Sequence, residues 1–161
     1  MEKLHPVASS LTLAQADAIA AHVIAIGRRE GLLPLAVAVC DAGGALVALK
    51  RDDGCGWLRT EIAQGKARGA LGMGMASRTI RDRLANRPAF QGALAAAAGG
   101  EFIPVPGGVL ILDPSGIAVG AVGVSGDASD KDEYCAIAAV HAADLASDPP
   151  EAAANWRDAG L

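Results

Sequence analysis

Gly116-Ile117-Ala118-Val119-Gly120-Ala121-Val122-Gly123-Val124-Ser125-Gly126 decides the fold. It is a β-branched, alanine-rich run that opens and closes on glycine, so it reads as a long strand leaving one turn and entering another. Upstream, Val109 to Asp113 is a second apolar run, and Pro114-Ser115-Gly116 between them supplies turn chemistry. The two runs form a hairpin. Val105-Pro106-Gly107-Gly108 leads into it, and glycine at these positions lets backbone approach backbone or a ligand closely.

Working towards the N-terminus, Leu35 to Cys40 is a continuous apolar strand, Asp41-Ala42-Gly43-Gly44 a turn, and Ala45 to Lys50 the return strand. Helices surround the two hairpins. Thr12-Leu13-Ala14-Gln15 is a capping box, and its helix runs to about Arg29. Leu13, Ala16, Ala20, Val23, Ile24 and Gly27 form its apolar stripe. A second helix starts at Thr60 or a neighbour and reaches about Met75. Arg78 to Leu84 and Pro88 to Ala98 are short helices, the latter with proline in its first turn. Glu101 to Val105 reads as a short extended piece. A final helix, capped by Ser129 or Asp130, runs to about Ala146. The order α-β-β-α-(α-α)-β-β-α, built from hairpins rather than alternating βα units, predicts an α+β fold with an antiparallel sheet. Residues 1–10 read as an arm, 11–146 as one domain and 147–161 as a polar tail.

Composition narrows the function. The chain of 161 residues is 52% hydrophobic but 3% aromatic, with a net charge of -4. Few stacking side chains and an acidic balance argue against a nucleic-acid binder. Arg78, Arg81, Arg83 and Arg87 read as a solvated helix face. No apolar run is long enough for a membrane helix, and the first ten residues lack the apolar stretch of a signal peptide. Cys40, Cys55 and Cys135 form no CxxC pair, so no zinc site is expected and a reducing cytoplasmic setting is. Cys40 and Cys135 read as core, and Cys55, between glycines, as exposed.

Several residues carry candidate chemistry. Lys66 shares a helix face with Ile62, Gly69 and Met73, where a desolvated ammonium would bind an anion or act as an acid or base. Arg51 closes the first hairpin and suits a bidentate carboxylate contact. Gly107 and Gly108, after Pro106, would aim backbone N–H groups at an anion. Ser125 ends the longest strand within reach of a ligand, although no GxSxG elbow accompanies it. Asp41 is turn-forming chemistry first and a candidate catalytic carboxylate second. His5, His22 and His141 are isolated, with no HxxxH or HxxE spacing, so no metal site is expected. His22 shares a line with Ile19 and Ile26 away from the helix stripe, which suggests a subunit contact or a ligand wall.

Val37-Ala38-Val39-Cys40-Asp41-Ala42-Gly43-Gly44 resembles the V-x-D-x-G-G hairpin of the GlcG/HbpS-like family, which includes haem-binding proteins and the C-terminal domain of PduO-type corrinoid adenosyltransferases. The resemblance continues through Arg51-Asp52-Asp53, Ile62-Ala63-Gln64-Gly65-Lys66-Ala67, Pro106-Gly107-Gly108, Gly120 to Gly126, and Asp132-Glu133. It departs where Val109-Leu110 follows the Pro-Gly-Gly turn. The resemblance implies a five-stranded antiparallel sheet flanked by helices, a profilin-like sandwich. It also implies a homo-oligomer, from dimers up to octamers, and haem or a related tetrapyrrole as ligand.

Two functions follow as expectations. In one the chain binds haem or another anionic small molecule through Arg51, Lys66, Pro106, Gly107, Gly108 and Ser125, with His22 as the axial choice. In the other it is a cofactor-independent isomerase, tautomerase or lyase of a small carboxylate, with Lys66 and Arg51 gripping the substrate and Lys66 or Asp41 moving the proton.

Overall fold

The computed structural model describes residues 3–161, so Met1 and Glu2 of the expected arm lie outside it. Helix α1 (Leu13–Arg29) begins at the expected capping box, in which Thr12 and Gln15 bond each other's backbone. A hairpin of β1 (Ala36–Asp41) and β2 (Leu46–Arg51) follows. Then come α2 (Leu58–Met73), α3 (Ser77–Leu84) and α4 (Pro88–Ala97), the hairpin of β3 (Gly108–Leu112) and β4 (Ala118–Ser125), and α5 (Ser129–Ala142). A fifth strand, β5 (Ala146–Asp148), completes one antiparallel sheet in the order β2-β1-β4-β3-β5.

β1 and β4 are central and have helices on both faces, which is why Ala36 to Cys40 carry no polar alternation and are all buried. Val37, Val39, Val109, Ile111, Val122 and Val124 point to one side and pack with α1 and α5. Cys40, Leu110 and Ala121 point to the other and meet Ala67 and Ala70 of α2. The second face is built from small residues because α2 lies almost on the sheet. A Cβ at Gly123 would run into the Ala63 carbonyl and stand 2.9 Å from the Ala67 nitrogen. Close packing of this kind leaves no slack for a methyl group.

The structure amends five local expectations. Ile19 and Ile26 are buried in the α1–α5 core, so the line through His22 is not the apolar outer face expected of it. α5 is capped from outside, with Ala128 at the N-cap position and neither Ser129 nor Asp130 in a capping role. Instead Asp127 Oδ1 accepts from Ala128 N (2.7 Å) and Asp132 Oδ1 accepts from Asp127 N (3.1 Å). α5 also stops at Ala142 rather than near Ala146, because the chain turns there into β5, which begins at Ala146 and runs into the expected tail. Cys55 is buried, not exposed. Arg78 is drawn out of the solvated arginine face to a buried carboxylate, Glu133.

Candidate functional site at the open end of the central strands

β1 and β4 bring Ala36 opposite Ser125, and β2 brings Arg51 opposite Ala36. The start of α2 lies over this end of the sheet, where Arg59 Nη1 reaches Ser125 Oγ at 3.4 Å. Cys55 lies beside the same groups. Burial pushes its thiol up, opposed by the positive charges of Arg59 and Arg51. Arg51 is exposed, Arg59 half-buried and Ser125 fully buried, so one guanidinium rests on a buried hydroxyl and a second stands on the exposed edge strand nearby.

Exposed apolar side chains stand on the elements that carry these arginines. Leu49, two residues from Arg51 and therefore on the same face of β2, is 43% exposed. Trp57 and Leu58 at the start of α2 are 69% and 52% exposed. Cations beside exposed apolar side chains suit an amphipathic anion better than a small hydrophilic one.

Close to Ser125, Lys66 is 2% exposed and donates to Val124 O at 2.8 Å and to Asp132 Oδ2 at 3.0 Å. Burial lowers the lysine pKa and raises that of Asp132 to about 6, each against the pull of the other. Gly107, at φ +116, folds over the ammonium. A Cβ there would meet Lys66 Nζ at 2.9 Å and Val124 O at 2.8 Å. Gly107 O accepts from Val124 N, and Gly108 N donates to Ser77 Oγ at 2.7 Å. The Gly-Gly pair therefore closes over Lys66, and the Gly108 N–H is already bonded. Pro106 is buried in the same turn.

The expected residues thus divide. Arg51 and Ser125 lie at the same end of the sheet, on strands either side of β1, while Lys66, Pro106, Gly107 and Gly108 are buried close to Ser125. Asp41 stands at the other end of β1, opposite Gly120, and its Oδ1 accepts from Gly43 and Ala45 N–H in the hairpin turn. His22 is on α1, on the face of the sheet opposite α2. Neither joins Arg51, Arg59 and Ser125. Among the described residues no cluster of three or more His, Cys, Asp or Glu is placed to hold a metal ion.

Sequence reading missed Arg59, Asp132 as the partner of Lys66, and Glu133. Arg59 lies seven residues before Lys66, two helical turns along the same face, and this spacing was the available signal. Glu133 is fully buried with neither carboxylate oxygen hydrogen-bonded, and its nearest cation is Arg78 Nε at 3.4 Å. Burial raises its pKa to about 7.

Fold and side chains together define a class: an α+β domain with one antiparallel sheet and two arginines, with exposed apolar side chains on the same elements, at the end of its central strands. The family model described as haem degrading protein HbpS-like matches residues 11–141, and the chain belongs to that family. Among solved structures it is similar to the haem complex of PduOC (22% identity, 86% of this chain and 98% of that one, TM-score 0.75). It is also similar to a double mutant of Streptomyces reticuli HbpS (26%, 86% and 90%, TM-score 0.72). A third is Klebsiella pneumoniae protein ORFY (25%, 89% and 97%, TM-score 0.74). No curated protein matches the sequence.

Proposed function

We propose that this chain binds haem or a related tetrapyrrole at the arginine-bearing end of the sheet by Ser125, as part of a homo-oligomer. The observation that carries the reading is two arginines at one end of the sheet, Arg51 with exposed Leu49 on the same strand and Arg59 next to exposed Trp57 and Leu58. A tetrapyrrole has an apolar plane and carboxylate tails. The arginines would take the carboxylates and the exposed apolar side chains the plane. The haem complex of a structural relative and the family description point the same way. Bound haem would supply an iron centre. The chain's own part is to hold the tails, shield the plane and keep the buried groups near Ser125 rigid through Lys66–Asp132. His22 of the same chain lies across the sheet from Arg59, so it serves a haem only on the α1 face.

The small-carboxylate enzyme, which would grip its substrate with Lys66 and Arg51, finds less support. Lys66 is sealed beneath Gly107 and already bonded twice, and Asp41 is a strand's length away.

A hemin titration followed in the Soret band tests the reading, with wild type, Arg51→Ala/Arg59→Ala and His22→Ala compared. Wild type is expected to show a sharp, saturable shift, weakened about tenfold or more in the double arginine variant, as befits lost charge-assisted bonds. A broad, unsaturable change equal in all three proteins would sink it. Retention by the arginine variant with loss in His22→Ala would move the site to the α1 face.

A further inference from the structure

A concavity lies on the α5 side of the molecule, away from Ser125. α5 meets the C-terminal segment in an open groove of about 500 Å³. Ile137 and Ala138 line it from α5, Pro150 and Ala152 from the C-terminal segment. His141, Glu151, Tyr134 and Trp156 also border it. Its size falls in the range of small-molecule sites. The segment that walls it is fastened down. Trp156 stacks on Tyr134 at 3.7 Å, and Arg78 Nη2 donates to the Glu151 carbonyl at 3.0 Å.

The polar groups of the groove have a definite sense. Ser147 Oγ spends its single proton on Pro149 O at 2.8 Å. The 3.0 Å contact between Ser147 Oγ and His141 Nε2 then requires that Nε2 carry the hydrogen. Neutral His141 therefore keeps its lone pair on Nδ1, for which no hydrogen-bond partner occurs among the described residues. Glu151 adds a carboxylate that has no ion pair among them. The two nearby cations are already matched. Arg78 pairs with Glu133, and Arg157, stacked over the Trp156 ring, pairs with Glu30. No lysine or arginine lines the groove itself. It is an apolar trough that offers acceptors and one uncompensated negative charge.

We infer that this groove binds an organic amine with a flat apolar body. The body lies on Ile137 and Ala138, between α5 and the C-terminal wall. The ammonium is taken by the Glu151 carboxylate and the Nδ1 of His141. The ligand sense is opposite to that of the arginines near Ser125, so the two sites are separable.

Tryptamine is the probe, added to ¹⁵N-labelled full-length protein and followed by amide chemical shifts, with indole-3-propionate as the matched carboxylate. The expected result is saturable shifts confined to residues 134–141 and 150–156, and binding at least tenfold weaker for the carboxylate. Glu151→Gln should weaken the amine about three- to tenfold, and Ala138→Trp, which fills the trough, should abolish its binding. Absence of saturable shifts, shifts centred elsewhere, or equal binding of amine and carboxylate would overturn the inference. Should Ala138→Trp lose the dispersed spectrum of a folded chain, Glu151→Gln and the carboxylate comparison decide alone. The hemin response of Glu151→Gln should equal that of wild type, so failure here and failure at the arginine site remain distinguishable.

Discussion

Glu133 is the residue most out of keeping with its surroundings. Its carboxylate is enclosed by protein and has no hydrogen bond, with Arg78 across 3.4 Å and Lys66, Arg81 and Asp130 acting on it from farther off. Its folded pKa, about 7, lies above its ordinary 4.5, and that of Asp132, about 6, lies above 3.8. A carboxyl raised on folding binds its proton more tightly in the native state. Stability is then greatest below about pH 4 for these two groups, and it falls as pH rises through 6 and 7. Glu133→Gln removes one of the two charges. Urea denaturation should find the variant more stable than wild type at pH 8, by on the order of 1–3 kcal/mol, with the gain largely gone at pH 5. A loss of stability at pH 8 would mean that the Arg78 pair outweighs the burial cost. Lys66 was legible in the sequence as an odd cation on an apolar face. Its partner was not, because Asp132 is 66 positions away and only the folded chain brings it to 3.0 Å.

At the scale of elements, both hairpins and the flanking helices could be read from turn residues and apolar periods. β5 could not. Ala146-Ser147-Asp148 is three residues long, partly polar and followed by proline, so it carries no strand signal of its own. Pairing with Leu110 to Leu112 creates it. The glycines of β4 were legible as close-approach positions, although the sequence did not say to what. Gly123 faces α2 backbone, whereas Gly72, on the exposed side of the same helix, has no atom within 4 Å of a built Cβ. The pair makes a matched test by chemical denaturation. Gly123→Ala should cost at least about 3 kcal/mol, because helix and sheet must separate. Gly72→Ala should cost nothing and gain roughly 0.5–1 kcal/mol of helix propensity. Equal effects at the two positions would show that α2 is not held as close to the sheet as described.

For the whole molecule, the unsettled surface is α4. None of its residues is buried, only Leu94 and Ala95 pack inward, on the Ile80, Leu84 and Phe102 cluster, and Pro88 to Gly100 contain no charged side chain. A ten-residue helix gains little stability from its own backbone in water. In the proposed homo-oligomer this helix would serve as a contact, since Ile19 and Ile26 are buried within the chain. Ala93→Glu, on its exposed side, should shift the mass measured by light scattering towards the monomer while leaving the circular dichroism of the fold intact. An unchanged mass would remove α4 from the interface. The Tyr134–Trp156 stack has its own consequence at this scale. The two tryptophans stand in unlike settings, Trp57 open to water and Trp156 held between a phenol ring and the guanidinium of Arg157. The chain thus contains two separable chromophores. Trp57 is expected to emit as a solvated indole beside Arg59 and Trp156 to be perturbed by its stacked neighbours at the edge of the groove, so light absorbed by each would report on a different surface of the molecule.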